Sequence, residues 1–175
     1  MIDPLLPSTD FQRKSVRDWL QLIEPVEQLW NAVLEVVHPD MSEANSKAVG
    51  KLLQDLGDPP PTWPTTYPAI DVIANRRTPK HCDKGGAPTL YDHLASFGQD
   101  HGAELLFPDF DAEFAYKPGT SVFFPGKALA HLVPEWMEGK ERVVMAHYLR
   151  DAVQNKLELA RPSLPTQLGW PSRYI

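Results

Sequence analysis

The chain has little cysteine and no long apolar run. Cys82 is the single cysteine among 175 residues, so no disulfide can form within the chain and a reducing compartment is favoured. No apolar stretch approaches the roughly 20 residues that a membrane-spanning helix needs. The first residues, MIDPLLPSTD, lack the basic start and apolar core of a signal peptide. We therefore expect a soluble, intracellular protein without a membrane partner.

Positive charge is also scarce. Lysine and arginine number 17 against 23 aspartates and glutamates, which gives a net charge of −6. Broad, sequence-independent binding to a polyanion needs a basic surface, and this composition argues against it. One segment differs, because between Arg76 and Lys84 four basic residues accompany a single acidic one, Asp83. A local patch of this kind can steer an anionic substrate.

Apolar residues recur at helical spacing through residues 1–57. The pattern predicts one helix that Pro25 interrupts and a second that ends at His38, before a proline. Asp40–Glu43 resembles a capping box that opens a third helix, which would stop at Gly57. Stripes of this kind usually face a core, so we expect helices that buttress a sheet.

The period changes after the proline-rich connector 58–68. From about residue 69 the chain consists of short β-type runs separated by Gly, Pro and Asp, and such runs after a helical block predict an α+β fold with a closed or sandwiched antiparallel sheet. We divide the chain into helical support (1–57), connector, β-rich catalytic core (69–153) and tail (154–175), within one compact domain. The runs are AIDVIANRR, AELLF, AEFAY, TSVFFPG, ALAHLV and ERVVMAHYL.

A His-x-Asp pair and a distant histidine carry the clearest chemistry. His81 and Asp83 are followed by His131, and two histidines with one carboxylate form the facial triad that holds Fe(II) and leaves positions open for O₂ and a cosubstrate. Residues i and i+2 of a strand point to one face, so His81 and Asp83 can address one metal. Cys82 then points away, and we expect an inert, buried thiol.

Arg142 begins the last β-type run, shortly after His131. The cosubstrate 2-oxoglutarate chelates iron at one end and carries a second carboxylate at the other, which needs a cationic partner once it is desolvated. The planar fork of arginine suits that carboxylate. The pattern therefore predicts a 2-oxoglutarate- and Fe(II)-dependent oxygenase that uses O₂.

Four segments carry a resemblance to a known family: NRRTPKHCDKGG, LYDHLASFG, YKPGTSVFFPGKALAHLVPEW and GKERVVMAHYLRDAV. Together they resemble the TET/JBP-type 2-oxoglutarate/Fe(II) dioxygenases, most of all the short TET-like proteins of fungi, over roughly residues 69–153. The resemblance implies a double-stranded β-helix (jelly-roll) core buttressed by N-terminal helices. It also implies oxidation of a methylated base, chiefly 5-methylcytosine in DNA with N6-methyladenine as a second candidate, and hence a nuclear protein whose partner is methylated DNA.

The resemblance also implies roles for individual residues. His81, Asp83 and His131 would bind iron, Arg142 would bind 2-oxoglutarate, and Arg76 would be a second arginine that reaches the cosubstrate. Some relatives have an acidic residue near the base at the position of Gly86, so base selection stays open here.

A base drawn out of a duplex needs a stacking group and a polar partner in the pocket. Tyr148, His147, Tyr91 and Asp92 are the candidates. Alternation along the strand from Arg142 favours Tyr148 over His147. Packing is the favoured role for Tyr91, and a cap or turn is the favoured role for Asp92.

Two other readings stay open. An oxygenase acting on RNA, protein or a small molecule would have the same triad and arginine, and a cupin-like barrel could bind metal or a partner without turnover. The chain has no cysteine-rich module that would help it hold DNA.

His93 and His101 are expected to be exposed, Trp136 is expected to fill the end of the barrel, and the oligomeric state is left open.

Overall fold

The computed structural model describes residues 5, 7–54, 56 and 61–165. The chain divides into two compact units, Met1–Pro68 with Val153–Ile175 and Ala69–Ala152. The predicted helix stop at Gly57 lies outside the described residues.

The first unit contains a 3₁₀ helix (Thr9–Gln12) followed by α1 (Lys14–Val37) and α2 (Pro39–Gln54). Pro25 lies inside α1, so the predicted interruption is wrong. A proline in a helix interior costs about 3 kcal/mol through a lost hydrogen bond and a steric clash. Burial of Leu20 before it and Trp30 after it, within one continuous apolar stripe, offsets that cost.

The boundary between α1 and α2 is made by His38. Its side-chain Nδ1 accepts a hydrogen bond from the backbone N–H of Met41 at 3.3 Å, and its carbonyl accepts one from the same N–H at 3.0 Å. Pro39 follows as the first helical residue, where a missing N–H carries no penalty. The predicted capping box is therefore wrong, because α2 has already begun when the chain reaches Asp40.

The second unit contains two antiparallel sheets of four strands each, in the orders β1-β8-β3-β6 and β2-β7-β4-β5. This confirms the predicted α+β class with a jelly-roll-like core. A 3₁₀ helix (Pro108–Phe110) joins β4 to β5, and a short helix, α3, spans Asp151–Lys156. The strands are β1 (Ala69–Ala74), β2 (Thr78–His81), β3 (Asp92–Gly98), β4 (Glu104–Phe107), β5 (Ala112–Ala115), β6 (Ser121–Phe124), β7 (His131–Val133) and β8 (Arg142–Tyr148).

Strand β8 occupies an inner position of its sheet. It pairs with β1 on one side and with β3 on the other, which sets Val144 opposite Ile73 and His147 opposite His93. The core of this unit is aliphatic and aromatic, and Trp136 packs against it from its partly exposed position. Its fully buried members are Ala103, Leu105, Phe107, Tyr116, Phe124, Val133 and Val144.

Candidate active site

A cavity of about 450 Å³ opens in the second unit. Its lining comes from both sheets and from the loops after β2 and β8. Of the residues that the sequence singled out for iron, cosubstrate or substrate, Tyr91 does not line this cavity and all the others do: Arg76, His81, Asp83, Asp92, His131, Arg142, His147 and Tyr148.

The three predicted metal ligands meet because β2 and β7 are paired with His81 opposite His131. One ligand atom from each of His81, Asp83 and His131 lies within 4.8 Å of the others. His81 Nε2 is 3.5 Å from Asp83 Oδ1, and His131 Nε2 is 3.8 Å from Asp83 Oδ2. Two imidazoles and one carboxylate at these separations can share one ion.

Both imidazoles are oriented by the backbone. His81 Nδ1 lies 2.9 Å from the carbonyl oxygen of Pro79, and His131 Nδ1 lies 2.9 Å from that of Leu129. A carbonyl oxygen only accepts hydrogen bonds, so each Nδ1 carries the proton and each Nε2 presents its lone pair to the cluster. Burial lowers the pKa of His131 further, which favours the neutral form that a metal requires.

Asp83 reaches the cluster by a route that differs from the predicted one. Strand β2 ends at His81, so alternation along a strand does not extend to Asp83. Instead, the backbone N–H of Asp83 donates to the carbonyl of Gly126 at 2.9 Å, which ties this segment to the turn before β7. Because the chain has left the sheet, Cys82 is exposed, and the predicted burial of its thiol is wrong.

A second carboxylate stands beside the first. Asp92 begins β3 and is about nine-tenths buried, with its carboxyl group against the turn at Gly126. Burial, followed by the negative charge of Asp83, raises the pKa of Asp92 to about 8. Gly126 makes the close approach feasible, since a Cβ there would overlap Asp83 Oδ2 and Asp92 Oδ2. Two carboxyl groups this close must share a proton or a cation, so the donor set at this end of the cavity fits a divalent metal.

The opposite electrostatic problem exists at Arg142. This side chain is 4% exposed, and no carboxylate of the described residues lies within 4.0 Å of its guanidinium. Its Nε has no hydrogen-bond partner, Nη1 donates a long bond of 3.5 Å to the carbonyl of Arg76, and the Tyr116 hydroxyl lies close enough to interact with the guanidinium. The guanidinium carbon lies 5.0 Å from the ring centre of Tyr116 and 5.8 Å from that of Trp136. A buried cation without a counter-ion is costly, so this position fits an anionic ligand.

The remaining predicted residues line the walls. Arg76 has an exposed side chain beside Arg142. Tyr148 donates from its hydroxyl to Asp71 Oδ2 at 3.2 Å, and the guanidinium carbon of Arg150 lies 5.3 Å from its ring centre. His147 is fully buried and also reaches the cavity. Both residues line the cavity, so the alternation of side chains along β8 does not select Tyr148 over His147.

The local basic patch is only partly available to a ligand. Arg77 pairs with Glu135 at 2.8 Å, and Lys80 lies 3.6 Å from Asp109. Lys84 lines the cavity, together with Arg150, which the sequence analysis did not single out. Two basic side chains thus remain near the opening besides the two predicted arginines.

Two histidines that were expected to be exposed are fully buried, so that expectation is wrong. His93 lies in β3, where its Nδ1 is 3.1 Å from His147 Nδ1 and its Nε2 is 2.6 Å from Ser121 Oγ. His101 follows β3 and bonds Ser96. Both faces of β3 are covered, which buries His93, while Asp92 and Leu94 on the opposite face line the cavity.

Comparisons with known proteins bear on the fold alone. No protein-family model matches the sequence, and no curated protein matches it. Among solved structures, NgTET1 in complex with 5mC DNA matches with a TM-score of 0.64 and 15% identity over 95% of this chain. This chain spans 62% of the length of that structure's chain. This chain therefore has a TET-like fold, and at 15% identity the likeness concerns the fold alone.

A second solved structure is more distant. The polyketide cyclase RemF from Streptomyces resistomycificus matches with a TM-score of 0.33 and 14% identity, over 61% of this chain and 68% of its own. A likeness at that level carries no argument.

None of the helices in the described part of the chain is long and apolar enough to cross a membrane.

Proposed function

We propose that this chain is a 2-oxoglutarate- and Fe(II)-dependent dioxygenase that oxidises a methylated nucleic-acid base. The first candidate is 5-methylcytosine in DNA, and the second is N6-methyladenine. The observation that carries the proposal is the pairing, in one cavity, of a His-Asp-His cluster with a buried arginine that has no acidic partner among the described residues.

The residues would divide the work between the two ends of the cavity. His81 and His131 would hold Fe(II) through Nε2 and Asp83 through a carboxylate oxygen, while their Nδ1 protons stay on backbone carbonyls. Iron, 2-oxoglutarate and O₂ together supply the oxidising chemistry when they are bound. Arg142 would bind the distal carboxylate of the cosubstrate, with Arg76 as a second contact.

The support for a base as substrate is weaker and comes from two sources. One is the fold likeness to a protein solved with 5mC DNA. The other is the cavity wall, where the Tyr148 ring can stack on a base drawn out of the duplex and His147 and Asp92 offer polar atoms. Lys84 and Arg150 can contact phosphates near the opening. A nuclear location follows only if DNA is the substrate.

One experiment tests both levels of the proposal. The protein is incubated with Fe(II), ascorbate, 2-oxoglutarate and oligonucleotides that contain 5-methylcytosine, N6-methyladenine or no methyl group, with methylated RNA in parallel. Succinate and nucleosides are then measured by mass spectrometry. We expect succinate together with an oxidised or demethylated base from one methylated DNA.

The other outcomes assign the alternatives. Succinate without an altered base would leave an oxygenase whose substrate is RNA, protein or a small molecule. Absence of succinate under all conditions, with metal bound, would identify a non-catalytic barrel. Asp18→Ala, which changes an exposed carboxylate on α1, is the matched control for substitutions of Asp83.

A further inference from the structure

Tyr116 is a fully buried tyrosine that follows β5 and whose ring belongs to the core between the sheets. Its hydroxyl makes no hydrogen bond of good geometry among the described residues, although the Arg142 guanidinium lies close enough to interact with it. Buried tyrosine hydroxyls usually have such a bond, so this atom requires an explanation. Burial raises the pKa of Tyr116 above its usual value, and the phenol therefore stays protonated.

The unsatisfied hydroxyl has an unsatisfied neighbour. Arg142 lies against the Tyr116 ring, with its guanidinium carbon 5.0 Å from the ring centre, and its Nε is likewise buried without a partner. A phenol oxygen can accept a hydrogen bond from a guanidinium N–H, and a guanidinium is attracted to the face of an aromatic ring. Two buried polar groups side by side, both short of partners, indicate a site whose last component is a ligand.

The backbone of Tyr116 is fixed by a closed set of hydrogen bonds. Ser96 Oγ donates to the Tyr116 carbonyl at 3.1 Å, and the Tyr116 N–H donates to the carbonyl of Ala103 at 2.8 Å. The Ala103 N–H donates to His101 Nδ1 at 3.1 Å, which leaves the proton of His101 on Nε2, 3.2 Å from Ser96 Oγ. Burial and the charge of Arg142 lower the pKa of His101, so this arrangement keeps its neutral imidazole.

We propose that Tyr116 is a positioning residue of the cosubstrate site: its ring and hydroxyl hold the guanidinium of Arg142 so that the remaining N–H donors face the distal carboxylate of 2-oxoglutarate. The identity of that ligand rests on the proposed function. This role predicts that a change at Tyr116 weakens some ligands and not others. Ligands with a distal carboxylate depend on Tyr116, and ligands that share only the metal-chelating end do not.

The test uses Tyr116→Phe, which removes the hydroxyl and keeps the ring. Dissociation constants are measured by calorimetry with Mn(II) in place of Fe(II), for N-oxalylglycine, which has the distal carboxylate, and for oxalate, which lacks it. We expect the constant for N-oxalylglycine to rise roughly fivefold to tenfold, as for one lost hydrogen bond to a charged group. The constant for oxalate should stay within about twofold.

Two further variants separate positioning from general damage. Tyr67→Phe removes the hydroxyl of an equally buried tyrosine in the other unit and should leave both constants unchanged. In an Arg142→Met background, Tyr116→Phe should have no further effect on N-oxalylglycine, because the hydroxyl acts through the guanidinium. Equal weakening of both ligands, or of neither, overturns the proposal.

Failure of the proposed function is distinguishable from failure of this inference. If the wild-type protein binds neither Mn(II) nor N-oxalylglycine, both proposals fall together. If the wild-type protein binds both and Tyr116→Phe binds N-oxalylglycine equally well, only the role of Tyr116 is wrong.

Discussion

The two ends of the cavity solve opposite problems. At the metal end, His81 and Asp83 are more than a third exposed, and each imidazole already donates to a backbone carbonyl. At the arginine end, Arg142 and Tyr116 are almost fully buried and retain polar atoms without hydrogen bonds of good geometry. Water can therefore screen the metal end when it is empty, whereas the arginine end bears its desolvation cost until an anion binds. We infer that one end is prepared for its ligand by orientation and the other by an unsatisfied charge.

The largest effect should come from removing the anionic ligand. We expect Asp83→Ala to weaken Mn(II) binding at least about a hundredfold, since even residues that only support a metal ligand contribute 10–100-fold. The stability of the metal-free protein should change by less than about 1 kcal/mol, because the Asp83 side chain is more than a third exposed. Calorimetric titration and thermal melting measure both quantities. Wild-type metal affinity in this variant would falsify the triad.

Removing the cation should separate binding from stability. Arg142→Met should raise the dissociation constant for 2-oxoglutarate by about thirtyfold, equivalent to roughly 2 kcal/mol for a charged hydrogen-bonded pair. The free energy of unfolding of the ligand-free variant should match or exceed that of the wild type, because methionine fills the space without an unpaired charge. Urea unfolding measures this second effect.

The matched control for this variant is Arg77→Met. Arg77 is exposed and paired with Glu135, so its loss should change stability by less than about 1 kcal/mol and leave cosubstrate binding unchanged. A marked loss of stability in Arg142→Met alone would contradict the view that Arg142 is held at a cost to the fold.

The same contrast explains which parts of the site sequence reasoning could reach. His81, Asp83 and His131 belong to a ligand set whose residue types and spacing are specific, and Arg142 opens a clear β-type run. Asp92, His93 and Tyr116 carry no comparable motif. The positions of Asp92 and His93 depend on the pairing of β3 with β8 and β6, and that of Tyr116 depends on its backbone bonds with Ala103 and Ser96. The segment DHLASFG also contains Asp, Ser and Gly, which weaken a local strand signal.

The helices give a similar lesson about local rules. Pro25 breaks a helix when only the adjacent hydrogen bond is considered, yet buried residues on both sides keep α1 continuous. The side chain of His38 caps α2 through a ring nitrogen, which no short list of capping residues includes. In both cases tertiary burial or an uncommon donor–acceptor pair outweighs the usual local preference.

The smallest effect should appear in the pH dependence of stability, at His93. Burial, followed by the charge on His147, lowers the pKa of His93 to about 2 in the folded protein, whereas an unfolded histidine titrates near 6.5. Between these values the unfolded state binds a proton that the folded state does not, so stability falls as the pH drops below about 6.5. From pH 6.5 to 5.5 this residue alone should remove about 1 kcal/mol.

His93→Gln keeps polar atoms beside Ser121 but cannot titrate in this range. Its free energy of unfolding, measured in urea at pH 6.5 and 5.5, should fall by about 1 kcal/mol less than that of the wild type over the same interval. Identical slopes for the two proteins would mean that His93 takes up its proton without unfolding. Burial would then not exclude a proton from His93. The contrast with the partly exposed metal ligands would be confined to Arg142 and Tyr116.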